Sequence, residues 1–313
     1  MEAQDTQDLR VHTTTDQLRK LGPLSRGISL LPRQPARSIL NGRHASRLRG
    51  RGLNFEELRD YLPGDDIRTI DWKVTARTGS PHVRVYTEER DRPALIIVDQ
   101  RMTMFFGSVE YMKSVVAAEA AAIVAHRILA QGDRLGGLVL APGRIAEHRP
   151  ERRPRALDRL LNSITSANQM LSADLHNTAE PSLNTVLKQA THVAKTNFVV
   201  TVFSDFAGLD DTSEPLLRRL AQSNDLILFN VSDRSAQALP PGLRLSISDG
   251  TSQAELDTSD PQVHARVQTA LRDRLETLRH WSRRYGIPMV ELGTDRAALA
   301  QMQVLFGLRG AGR

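Results

Sequence analysis

Two aspartates close the most apolar stretches of the sequence. Asp99 ends the run ALIIVD, and Asp205 follows Ser204 at the end of NFVVTVFSD. Runs of this kind read as strands buried on both faces, and an acid at the carboxyl end stands where open α/β sheets gather ligands. After Asp99 come Gln100, Arg101, Met102 and Thr103. Alternate residues of a loop can converge, so Asp99, position 101 and Thr103 could share a hard cation such as Mg²⁺, with Asp205 at the same crevice. The intervening Arg101 opposes this, because a guanidinium cannot ligate a cation and repels it. The competing expectation is an Asp99–Arg101–Asp205 ion cluster with the arginine in the place of the metal. Beyond it, Met102, Met104, Phe105 and Phe106 are candidate exposed anchors for a protein partner.

A second group lies in YLPGDDIRTIDWKVTAR, residues 61–77. Pro63-Gly64 makes a turn, Asp65, Asp66 and Asp71 follow, and Arg59, Arg68 and Arg77 are rigid forks that match carboxylates. Ile67, Ile70 and Trp72 are apolar anchors. Carboxylates matched by arginine are held ionised, and no nucleophile–base pair accompanies them, which argues against acid–base catalysis. The expectation is a structural network of Asp65, Asp66, Arg68, Asp71, Trp72 and Arg77, with a partner surface or a metal-dependent hydrolase centre as the functional alternatives.

Other signals exclude more than they propose. No cysteine is present, so there is no disulfide framework, thiolate metal site or thiol nucleophile. His44, His126, His148, His176 and His192 keep no metal-ligand spacing. Gly132, Gly136 and Gly137 precede a strand rather than join a strand to a helix, and no phosphate-binding G-x-x-x-x-G-K-[ST] occurs, so any ATP hydrolysis belongs to a partner. Ser204 lacks the glycine elbow of a hydrolase nucleophile. No cofactor is implied beyond weak Mg²⁺ binding at the strand ends, and no small-molecule substrate.

The elements that must position these residues are legible from residue 94 onward. Strands are expected at 94–99, 135–140, 197–205, 225–233 and 288–292, with a short β-like stretch at 243–256. Helices are expected at 109–130, 154–164, 183–194, 261–285 and 296–304. In the long helix at 261–285, Val263, Val267, Leu271, Leu275, Leu278 and Trp281 recur on one face. Strands alternating with helices give an α/β fold, a three-layer doubly wound and mainly parallel sheet, with a smaller N-terminal β-rich lobe. The organisation is an arginine-rich arm at 1–50 containing one short helix, a small lobe at 51–93 and the main domain at 94–313.

The formal charge of +6 is unevenly placed: no acid lies between Asp16 and Glu56, where Arg19, Lys20, Arg26, Arg33, Arg37, Arg43, Arg47, Arg49 and Arg51 fall. Nucleic-acid binding through the 17–55 arm is therefore an alternative function. Against it, aromatics are only 4% of the chain and none lies among those arginines, so stacking platforms are missing. The polar, acidic N-terminus is no secretory signal, and no run approaches the roughly 18 apolar residues of a spanning helix. A soluble, cytoplasmic chain without direct membrane insertion is expected.

The strand order, the acid after the first strand and Ser204-Asp205 after a later one resemble a von Willebrand factor A domain. The resemblance implies a metal-ion-dependent adhesion site, with Asp99, Thr103 and Asp205 at matching positions. It also implies that the site is degenerate, because Arg101 replaces a serine and Pro181-Ser182 stands for glycine-threonine. The 61–77 segment, with Gly52 to Phe55, Glu56, Leu58 and Arg59 before it and Arg84 to Glu88 after it, resembles the domain of unknown function 58 family. That resemblance runs from about Arg51 to Phe106 and more loosely to Asp205. It implies a bacterial, non-enzymatic adaptor for a MoxR-type AAA+ ATPase in complex maturation or stress response, with membrane-anchored von Willebrand A proteins as further partners.

Overall fold

A computed structural model describes residues 8–29, 53–62, 65–88, 92–172, 181–233, 244–248, 253–257 and 260–307. Pro63-Gly64, His44, His176 and the basic residues from Arg33 to Arg51 lie outside the described residues. The chain divides into two compact units, Met1–Pro32 with Arg92–Arg313, and Arg33–Asp91.

In the larger unit the apolar runs form one six-stranded sheet. Its strands are β3 (Pro93–Asp99), β4 (Arg134–Ala141), β5 (Arg144–Glu151), β6 (Val199–Ser204), β7 (Asp225–Ser232) and β10 (Met289–Gly293), in the order β10-β7-β6-β3-β4-β5. All neighbours are parallel except β4 and β5, which form an antiparallel hairpin. Successive side chains of a strand point to opposite faces. Ile96 and Val98 of β3 therefore enter one core while Leu95 and Ile97 enter the other. That is why β3 is buried along its whole length and reads as an unbroken apolar run.

The first core is covered by α3 (Lys113–Ala130), flanked by α1 (Thr15–Leu24), α4 (Pro154–Gln169) and α8 (Ala298–Phe306). Small alanines let α3 lie centrally, and Gly137 of β4 has the same purpose: a Cβ there would meet Leu160 of α4 at 2.5 Å. The second core is covered by α5 (Leu183–Val193), α6 (Ser213–Ser223) and α7 (Pro261–Tyr285). From the long apolar face expected on α7, Leu278 and Trp281 join this core while Leu271 and Leu275 stay half-buried. This is a doubly wound α/β fold. A separate antiparallel hairpin pairs β8 (Arg244–Ser248) with β9 (Gln253–Asp257).

β5 and β10 are the edges of the sheet; β10 is only five residues long, and β5 carries Arg149 and Pro150. Among the described residues, no helix is long and apolar enough to cross a membrane.

Residues 8–29, expected as part of an extended arm, are docked on the larger unit. Thr14 caps α1 by accepting from the Gln17 amide, and Leu18 and Leu21 are buried in the first core. Arg19, from the basic strip, donates to Asp158 at 3.0 Å.

In the smaller unit, β1 (Leu53–Asp60) pairs antiparallel with β2 (His82–Glu88), with a bulge between Phe55 and Glu57. The connection holds a 3-10 turn at Ile67–Thr69 and the short helix α2 (Trp72–Thr78). α2 stops at Gly79, whose φ of 80° suits a residue without a Cβ.

Candidate functional site

The carboxyl rim of the sheet brings Asp99, Arg101 and Asp205 together, but not as one cluster. Asp99, at the end of β3, is 1% exposed. Arg101 grips it with a fork, Nε to Oδ1 at 2.9 Å and Nη2 to Oδ2 at 2.7 Å, and the Arg101 amide also donates to Oδ1. The Ser204 hydroxyl donates to Asp99 Oδ2 at 2.6 Å. Asp205 instead belongs to Lys113, whose Nζ lies 2.6 Å from its Oδ2, while the Ala207 amide donates to Oδ1. Burial on its own would raise the Asp205 carboxyl. Lys113, ahead of Arg274 and Arg101, outweighs it and holds the pKa at about 2.

The backbone makes this pairing possible. Phe206 is fully buried with φ of 54°, a left-handed conformation that costs an L-residue about 1–2 kcal/mol. Its reversal turns the Ala207 amide back to Asp205 and the Ala207 carbonyl toward Arg101 Nη2, 3.1 Å away. Asp233, beyond β7, receives the Ser108 amide and hydroxyl and the Thr294 hydroxyl.

A strap of chain covers part of this rim. His12 stacks on Phe105 at 5.4 Å, and the Met112 amide donates to the Arg10 carbonyl. The Thr13 amide donates to buried Asn168, which donates in turn to buried Gln100. The expected row of exposed anchors is accordingly corrected. Met104 is wholly buried, its sulfur receiving the Asp205 amide, because the 3-10 turn at Met102–Met104 sends it inward. Met102, Phe105 and Phe106 are half-buried, Phe106 beneath the Lys113 ammonium.

In the smaller unit, Arg59 does hold Asp65, both guanidinium nitrogens lying 2.8 Å from its oxygens, and the Leu62 amide adds a third donor. This fork first, then the amide, keeps the Asp65 carboxyl below its ordinary range. The other two pairings are corrected. Asp66 caps the 3-10 turn through the Arg68 amide, and Asp71 caps α2 through the Lys73 and Val74 amides. Arg68 and Arg77 are exposed and have no carboxylate partner among the described residues. Trp72 is 68% exposed and Ile67 64%, so neither acts as an anchor within its own unit.

The family model described as "Protein of unknown function DUF58" matches residues 57–290, spanning both the corner with Asp65, Asp66 and Asp71 and the rim with Asp99 and Asp205. The chain belongs to the DUF58 family. An uncharacterized protein of Mycobacterium bovis and counterparts in two strains of Mycobacterium tuberculosis are each 28% identical to it over 285 residues. The alignment covers 90% of this DUF58 chain and 88% of each relative. A crystal structure of an uncharacterized membrane-spanning protein from Vibrio fischeri is 12% identical over 68% of this chain and 96% of its own, with a TM-score of 0.23.

The rim of this DUF58 chain does not fit a divalent cation. Both oxygens of Asp99 and both of Asp205 already receive donors, two of them cationic, and an entering metal would have to displace Arg101 and Lys113. Thr103, third of the expected ligands, has its hydroxyl buried without a hydrogen-bond partner among the described residues. The sequence reading missed Lys113, Ser204 and Asp233 as members of the rim. The Lys113–Asp205 contact spans 92 positions, and no local spacing signals it. Ser204 was legible as a strand-end marker before Asp205 and as a residue unfit for nucleophilic attack, but not as a donor to Asp99.

Proposed function

We propose that this DUF58 chain is a non-enzymatic, cytoplasmic adaptor that binds another protein, with a MoxR-type AAA+ ATPase as its partner in complex maturation or stress response. The observation that carries the reading is that the rim acids are neutralised from within, Asp99 by Arg101 and Asp205 by Lys113. General acid–base work needs a group poised near the working pH. The Asp205 carboxyl, held at about 2, is no such group, and both oxygens of Asp99 are occupied by the Arg101 fork. Recognition is the work left to such a rim, in keeping with the resemblance of the sequence to a von Willebrand A domain in which Arg101 stands for a serine.

The test is a reconstitution in which the purified chain is titrated into the MoxR-type ATPase of the same organism while ATP hydrolysis is followed. Saturable binding with an altered hydrolysis rate is expected. Absence of binding, or turnover of a substrate by the chain alone, overturns the reading.

A further inference from the structure

We infer that the corner of the smaller unit formed by Leu62, Ile67 and Trp72 is the surface by which this chain docks on its partner, and that the partner presents an apolar pocket edged with acids. The identity of that partner rests on the adaptor reading above; the location and chemistry of the surface rest on the corner itself.

Isolated exposed apolar residues are ordinary, and large aromatic side chains are highly buried on average. Here Leu62, Ile67 and Trp72 are 60%, 64% and 68% exposed within one short connection. From Asp65 to Trp72, its described part is held by local bonds rather than by a core. The Arg59–Asp65 fork closes its start, Asp66 fixes the 3-10 turn and Asp71 fixes the first turn of α2. Ile70 bridges to Val83, and the Asp71 amide donates to the His82 carbonyl, fastening it to β2. A backbone so constrained loses little freedom when it is bound, which favours affinity.

Charge decides what kind of surface would meet it. Asp65 is paired, Asp71 is buried at its cap, and Asp66 has an oxygen turned to the Arg68 amide. Arg68, Lys73 and Arg77 are exposed and carry no carboxylate partner among the described residues. The corner therefore shows apolar side chains with Arg68, Lys73 and Arg77 against the exposed carboxylate of Asp66, and its complement is an apolar pocket with an acidic edge. Leu62 and Ile67 favour a protein over a single-stranded nucleic acid, because an aliphatic side chain fills a pocket but offers no π-face for a base.

The experiment measures binding of the MoxR-type ATPase to the full chain, to the pair Trp72→Ala with Ile67→Ala, and to the pair Arg68→Glu with Lys73→Glu. Thermal midpoint, sedimentation and single-stranded DNA binding are recorded for each. Affinity for the ATPase is expected to fall at least about tenfold in both pairs with the midpoint unmoved. Equal affinity in the full chain and both pairs overturns the corner as a docking surface and leaves the adaptor reading standing. A full chain that does not bind the ATPase overturns both. A fallen midpoint in the Trp72 pair, a dimer lost only in the variants, or DNA binding lost in place of ATPase binding each overturns the inference by assigning the corner to the chain itself, a second copy or a nucleic acid.

Discussion

At the rim of the sheet, Asp99 and Asp205 are buried and answered by Arg101 and Lys113; at the corner of the smaller unit, Asp66 and Asp71 are answered by backbone amides. The contrast shows two ways of settling a carboxylate. An acid matched by a side-chain cation removes that cation from the surface and locks two elements together, here β3 with its following turn and β6 with α3. An acid that caps through peptide N–H groups shapes its own turn and takes no cation from Arg68, Lys73 or Arg77. The first arrangement makes a closed rim, and the second leaves Arg68, Lys73 and Arg77 outermost.

The largest expected effect that sharpens this contrast comes from Asp205→Ala, which strands Lys113 in the interior. Breaking a buried pair from one side costs about 3–5 kcal/mol, so urea unfolding of this variant should show a loss of that order. The native pair has its own pH signature. A carboxyl lowered from 3.8 to about 2 adds stability that is complete above 3.8 and lost as pH falls toward 2. Asp66→Ala comes next, removing the cap of the 3-10 turn, with an expected loss of about 1 kcal/mol by the same measurement. Losses of equal size at both positions would erase the distinction drawn between the two regions.

The smallest effect belongs to Glu119, a buried acid of α3 that receives Gln17 rather than a cation. Burial first, against the Gln17 bond and the Ala298 amide, pushes its carboxyl above the usual 4.5. The sign is then opposite to that of Asp205: its contribution is fully present below 4.5 and is lost as pH rises through the raised value. Glu119→Gln should accordingly raise the thermal midpoint at pH 8 and leave it unmoved at pH 4. A fall at pH 8 would mean that the ionised form is the one the core accommodates.

Much of the sheet was legible because its central strands are covered on both faces, so β3, β6 and β7 announce themselves as apolar runs. The helix α6 was not assigned. Its buried Leu217 and Leu220 are set among Arg218, Arg219 and Gln222, too short a pattern to stand out beside the strands it joins. α2 escaped notice for a similar reason: seven residues show little periodicity, and the informative marks were Asp71 before it and Gly79 after it. At the rim, the Asp99–Arg101 pair was readable from neighbours in sequence. Lys113 was not, since only the folded sheet brings the start of α3 to the end of β6. Met104 was misplaced outward because the phase of a single 3-10 turn, invisible in composition, chooses which of Met102 and Met104 faces inward.

The two borders of the sheet bear on how the protein lives among its own copies. An open sheet ends in rows of unsatisfied peptide groups, a template on which identical chains polymerise. Pro150 has no hydrogen to offer an incoming strand, and the neighbouring Arg149 repels its own twin, while β10 gives a newcomer only five residues to grip. Crowding of identical molecules is thereby steered away from fibre growth through the sheet.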